Sequence, residues 1–183
     1  MQEIAAAALA ALAAHASGAW SSTPSIWRTP VAYAEATKVS VEKSVAEIAA
    51  LVRKNAGSQI AQLDDDDRYV IAFSTAERQV RFVVMFDPVT DKRFQVDGRG
   101  SKRTATQRRD HWEQHRRQRI RAMLLVIKAK FESVESGVEM FEQAFLANVV
   151  TSSGLTVYEN IADDLELKCS NRTVQPRMLG PAQ

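Results

Sequence analysis

Eight cationic residues, Arg99, Lys102, Arg103, Arg108, Arg109, Arg116, Arg117 and Arg121, crowd into one short stretch of the chain, and their chemistry is that of phosphate recognition. Guanidinium groups bind phosphate oxygens through paired hydrogen bonds, and an ammonium acts as a compact point charge. Residues 92–130 together hold 13 Lys and Arg against three acids, Asp97, Asp110 and Glu113, a net charge of +10. The whole chain carries only +2, so the remainder is at −8. A near-neutral protein is therefore strongly dipolar. Such a concentration suits a polyanion, because each phosphate neutralised releases condensed counterions.

Position adds to composition. The stretch GRGSKRTATQRR, from Gly98 to Arg109, leads into an apolar helical pattern, so its cations stand beside the unpaired N–H groups and positive dipole end of a helix start. Cations there oppose helix stability by about 0.3–1 kcal/mol each, which argues that helix formation alone did not place them. Two other accounts compete with polyanion binding. The basic end can pair with the chain's own acids, DDDD at Asp64–Asp67 or ADDLE at Ala162–Glu166, or it can be a solvated helix surface.

The remaining candidates for chemistry are weaker. His111 and His115 lie four apart in HWEQH, but Glu113 stands third rather than directly after the first histidine, and no third zinc ligand is evident. Adjacent carboxylates in DDDD lack the alternating ligands and the glycine of a calcium loop, so they read as a solvated acidic turn. His111, Trp112 and His115 could stack on single-stranded bases, although Trp112 lies near the apolar stripe and reads better as core. There is no nucleophile constellation, no P-loop and no dinucleotide fingerprint. The expectation is a non-enzyme without metal or cofactor.

The elements that must position the cations follow from periodicity. Ser40 caps a helix whose apolar residues Val41, Val45, Ile48 and Val52 recur at spacings of three and four, and Asn55 with Gly57 stops it. A weak strand at Ser58–Leu63 precedes the acidic turn. Alternation at Tyr69, Ile71 and Phe73, and again at Val80, Phe82, Val84 and Phe86, predicts two antiparallel strands joined across TAER. A loop from Asp87 to about Thr104 leads into a long helix with the stripe Ile120, Met123, Leu124, Ile127, Phe131 and Val134, which must lie on the sheet or the first helix. Gly137 breaks or bends it. A further helix is expected over Val138–Val149, and Thr156 with Glu159 forms a capping box for a short helix over VYENIADDLEL. The fold class is α+β: helix, three-stranded antiparallel sheet, long helix and appended C-terminal helices.

Residues 31–167 form this domain. Before it come an Ala-rich helix at 1–16, capable of self-association, and a linker at 17–30 that carries Trp20 and Trp27; a flexible tail follows at 168–183. The apolar run Ile4–Ala14 is too short for a bilayer, and Glu3 replaces the basic start of a secretory signal. The single cysteine, Cys169, allows no internal disulfide and points weakly to a reducing compartment.

The order helix, three strands, helix, with GRGSKRTATQ before the second helix, resembles the double-stranded-RNA-binding domain. That resemblance covers at most Ser40–Phe131 and implies phosphate contacts at Lys102, Arg103, Gln107 and Arg108. DDDD departs from it, standing where that family inserts a loop into the minor groove. YAEATKVSVEKSVAEI (Tyr33–Ile48) together with the segment from Trp112 to Val150 resembles an uncharacterised group of small bacteriophage and prophage proteins, which implies a bacterial cytoplasm. The resulting expectation is a phage or prophage protein that binds DNA or RNA through backbone phosphates. The alternative is a phage-encoded protein that binds and inhibits a host protein, for example a defence component such as a CRISPR effector.

Overall fold

The computed structural model describes Ala34, residues 37–75 and residues 78–170. The Ala-rich segment, the linker with Trp20 and Trp27, and residues 171–183 of the expected tail lie outside the described residues.

Helix α1 spans Val41–Lys54. Ser40 caps it, its Oγ accepting from Lys43 N at 3.2 Å, and Arg53 and Lys54 in the last turn favour the negative dipole end. Asn55 closes it by donating Nδ2–H to Leu51 O at 2.9 Å. The chain then reverses through Ala56 at φ 57° into Gly57, where a Cβ would stand 2.8 Å from Val52 O. Only glycine fits that approach.

Strands β1 (Gly57–Asp64), β2 (Arg68–Thr75) and β3 (Arg78–Met85) form an antiparallel sheet in sequence order. Ile71 pairs with Gln62 on one side and Phe82 on the other, and β1 carries a register shift between Ser58 and Ala61, with Gln59 at φ 50°. Tyr69, Ile71, Phe73, Val80 and Phe82 line one face and pack with Ile48 and Val52 of α1. The same core takes Ile120, Met123, Leu124, Ile127 and Phe131 from α3, the long helix Ala105–Glu135. The expected α+β architecture and the α3 stripe are present, with Val134 half-buried against the core.

Val70, Ala72 and Arg81 point from the opposite face and are also buried. The last helix, α5 (Val157–Ser170), is tied to this face by an ion pair from Arg81 to Glu159 at 2.5 Å. Its capping box is formed as expected: Thr156 Oγ1 accepts from Glu159 N at 3.2 Å, and Glu159 Oε2 accepts from Thr156 N at 2.6 Å. The helix runs three residues beyond Leu167, into what reads in the sequence as the start of the tail.

Two segments differ from expectation. The loop after β3 contains a short helix, α2 (Lys92–Gln95), started by Asp91 and anchored by the buried Phe94. Four residues are too few to show a period. The helix expected over Val138–Val149 shrinks to α4 (Phe141–Phe145) and a 3-10 turn at Leu146–Asn148. Gly137, at φ 73°, ends the preceding helix, and Val149 and Val150 instead form bridges to Val80 and Thr156. These β-branched residues favour the extended state that the exposed edge of β3 offers. Among the described residues, no helix is long and apolar enough to cross a membrane.

Candidate nucleic-acid interface

A turn and a helix cap hold the basic segment. Asp97 Oδ1 accepts from Arg99 N at 2.9 Å and from Ser101 N at 2.8 Å, while Asp97 N donates to Ser101 O at 2.9 Å. Gly100 takes φ 84°, and Val96 bridges to Lys102. This closed turn leaves Arg99 and Lys102 exposed. Two residues later Thr104 caps α3 in a full capping box: its Oγ1 accepts from Gln107 N at 3.3 Å, and its N donates to Gln107 Oε1 at 3.0 Å. Gln107 thus satisfies the helix start, a structural role where the RNA-binding resemblance implies a phosphate contact.

The eight candidate cations fall into two groups. Arg99 and Lys102 have no side-chain partner among the described residues. Arg109 is 69% exposed, with a loose contact of 3.5 Å to Glu113. Arg108 is half-buried and donates to Arg103 O at 3.4 Å. The other four are occupied. Arg103 straps the loop by donating to Arg93 O at 2.9 Å and to Val96 O. Arg116 pairs with Asp64 and lies over the rings of Phe86 and Trp112, at 5.0 and 5.1 Å. Arg117 donates to Gln114 Oε1 at 2.8 and 3.0 Å, and Gln114 in turn donates to Thr37 O at 2.9 Å. Arg121 pairs with Glu47 of α1 at 2.6 Å. Pairing with the chain's own acids is therefore real on the middle of α3, whereas the preceding turn holds Arg99 and Lys102 exposed and the helix start holds the loosely engaged Arg108 and Arg109.

Charge spacing alone does not divide these groups, because the division depends on what packs beside each turn of the helix. Lys92, exposed on α2, adds a cation that sequence reasoning left out of the site. The sequence signal for the fixed turn of Arg99 and Lys102 was Asp97 within DGRG, a carboxylate placed to accept from the N–H groups of its own turn, whereas no such signal marked Lys92.

Beneath the loop lies a packed polar cluster. Asp87 accepts from Arg93, its backbone oxygen accepts from Trp112 Nε1 at 2.9 Å, and Phe94 meets the His115 ring edge-on at 5.6 Å. Burial, followed by the charges of Arg93 and Arg119, lowers the His115 pKa to about 4, so the imidazole is neutral at pH 7. Its Nε2 lies 3.1 Å from Asp87 Oδ2 but makes no hydrogen bond. Trp112 is core as expected and is not offered to bases. His111 is exposed while His115 is enclosed, so the pair does not present two ligands together. Among the described residues, no three His, Cys, Asp or Glu side chains gather in a metal-holding arrangement.

On the other flank of α3, Ser40, Val41, Glu42, Asp64, Glu113, Arg116 and Arg117 line an open cleft of about 250 Å³. Its charges are mixed. A backbone hydrogen bond and the Ser40 hydroxyl hold the Glu42 carboxyl below its usual pKa, so it stays ionised beside the arginines.

Comparison with known proteins returned no match to a protein family, a curated protein or a solved structure.

Proposed function

We propose that this is a non-catalytic phage or prophage protein that binds nucleic acid through backbone phosphates, at the turn before α3 and the first turns of that helix. The observation that carries this reading is the exposure of Arg99 and Lys102 on a turn fixed by Asp97, directly ahead of a capped helix start. A fixed turn lowers the ordering cost of binding, and the helix start adds N–H groups that favour anions. Arg109, Arg108 and Lys92 extend the surface, while Arg103, Arg116, Arg117 and Arg121 support it by holding the elements in place. The phage setting and bacterial cytoplasm rest on the likeness of Tyr33–Ile48 and Trp112–Val150 to small phage proteins.

Titration of a labelled oligonucleotide across a salt series tests this. Wild type should bind at low salt and lose affinity steeply as salt rises, and Arg99→Glu with Lys102→Glu should weaken it by about tenfold or more with a shallower salt slope. No binding at low salt would remove the proposal.

A second reading, binding and inhibition of a host protein, draws support from Val138, Met140 and Leu146. These are exposed at 76%, 63% and 55% within nine residues. Large apolar side chains grouped in this way suit a protein partner. A host protein that co-purifies after nuclease treatment and is lost on Met140→Glu would favour it.

A further inference from the structure

We infer that the outer edge of β1 pairs, antiparallel, with β1 of a second copy of this chain. The surface is separate from the basic turn, and the inference holds whether or not that turn binds phosphates. The sheet has two edges, and the chain treats them differently. Along β3, Val149 bridges to Val80 and Val150 N donates to Gln79 O at 2.8 Å, so a later segment of the chain covers part of that edge. Along β1 the only strand partner among the described residues is β2. Ser58, Gln59, Ala61, Gln62 and Asp64, which belong to both faces of the strand, are exposed, so the edge between the faces is open.

An unpaired edge is a template for another strand unless lysine, proline or a bulge guards it. Between Gly57 and Asp67 there is no Lys, Arg or Pro. A bulge is present: the register shifts between Ser58 and Ala61, with Gln59 at φ 50°. It bends the first half of the strand and leaves Ala61–Asp64 in unbroken register with β2. The guard is therefore partial, and a short straight half stays available.

Charge sets the direction of pairing. The strand follows Arg53 and Lys54, both exposed at the end of α1, and it ends in the four aspartates Asp64–Asp67. Parallel pairing would lay acidic turn on acidic turn, whereas antiparallel pairing carries each acidic turn toward the strand start of the other copy. Asp65 N donates to Arg68 O at 2.9 Å, so Ala61, Leu63 and Asp65 turn their backbone groups to β2, while Gln62 and Asp64 turn theirs outward. A two-fold axis at Leu63 or Asp64 would hold Asp65 of the two copies roughly 7–13 Å apart along the strand, and an axis at Ala61 would run the ladder into the bulge. An axis at Gln62 avoids both. It makes Gln62 a reciprocal hydrogen-bonded pair and sets Leu63 across from Ala61 of the second copy, on the face that carries Val70 and Ala72. Asp65 of the two copies then stands roughly 20 Å apart, more than two Debye lengths at physiological salt.

Sedimentation velocity of the full chain across a concentration series tests this with two variants. Gln62→Pro removes an N–H that β2 does not use, and Ala61→Glu sets a carboxylate beside the acidic turn of the second copy. Wild type should form a concentration-dependent dimer, weak because so short a ladder buries little area. Each variant should weaken dimerisation by about tenfold or more while melting as wild type does, and Ala61→Glu alone decides if Gln62→Pro fails to fold. In a Cys169→Ser background, Gln62→Cys should close a disulfide between copies under mild oxidation, because a hydrogen-bonded antiparallel pair holds its Cα atoms about 5.5 Å apart. Ser58→Cys, roughly 26 Å from its counterpart, should not. A monomer at every concentration would overturn the inference. So would a dimer unchanged in the folded variants, or Ser58→Cys crosslinking as readily as Gln62→Cys.

Discussion

Arg116 and Asp64, 52 residues apart, are joined by an ion pair that fixes the β1–β2 turn against the long helix. The Arg116 side chain is 19% exposed and also covers Phe86 and Trp112, so it acts as packing as much as charge. Arg116→Ala is expected to cost about 1–2 kcal/mol, combining a part-exposed ion pair with two cation–π contacts. Oligonucleotide affinity should change by less than about threefold, because this cation is already occupied. Urea unfolding and the titration above check the two halves separately. A large affinity loss without a stability loss would return Arg116 to the binding surface.

Arg81 and Glu159 form the corresponding tie on the opposite face. Burial alone would raise the Glu159 carboxyl, but the Thr156 N–H and hydroxyl and the Arg81 guanidinium outweigh it and hold its pKa below the usual value. Glu159→Ala would remove both the cap and the partner, leaving Arg81 buried with only Gly154 O as acceptor. Breaking a fully buried pair costs about 3–5 kcal/mol, and with Arg81 buried but Glu159 only half-buried the cost here should be about 2–3 kcal/mol. Thr156→Ala, which removes only the cap hydroxyl, should cost about 1 kcal/mol. Chemical denaturation of both variants checks the ranking, and equal losses would show that the ion pair adds nothing beyond the cap.

The fold was legible where one residue pattern had one structural solution. Ser40 and Asn55 bound α1, the alternation at Tyr69–Phe73 and Val80–Phe86 set two strands, and Ile120–Phe131 marked the buried stripe. What escaped was decided by tertiary contact. Nothing local reveals that Phe94 would fold four residues into a helix, or that Val149 would bridge to Val80. The binding surface followed the same division. Thirteen cations could be counted in residues 92–130, but which of them face solvent depends on Glu47 and Asp64, which come from other elements, and on Gln114, one turn earlier on α3 and tied to Thr37.

His115 makes stability depend on pH. Its folded pKa of about 4 is below the unfolded value of about 6.5, so the folded state prefers the neutral ring. Stability from this group is complete above about pH 6.5 and is lost as pH falls toward 4, on the order of 2 kcal/mol in all. Asp87 and Asp91 face the ring along with Arg93 and Arg119, and their attraction for the protonated form limits the loss. His115→Gln should flatten the stability profile between pH 6.5 and 4. Melting curves across that range check this, and an unchanged slope in the variant would assign the pH dependence to carboxylates elsewhere.

Gly57 and Gly98 give opposite expectations for the same substitution. A Cβ at Gly57 would stand 2.8 Å from Val52 O, a backbone atom that cannot rotate away, so Gly57→Ala must push α1 and β1 apart. That displacement works against the contact of Val52 with the core and should cost about 1–3 kcal/mol. At Gly98 nothing lies within 4 Å of the added carbon, so Gly98→Ala should leave stability within about 0.5 kcal/mol. Because Gly98 adjoins Arg99, this variant also probes the binding turn: with Asp97 still holding the Arg99 and Ser101 N–H groups, oligonucleotide affinity should be unchanged within about twofold. A sharp affinity loss in Gly98→Ala at normal stability would mean that the turn must move to bind. The fixed geometry argued for Arg99 and Lys102 would then be wrong.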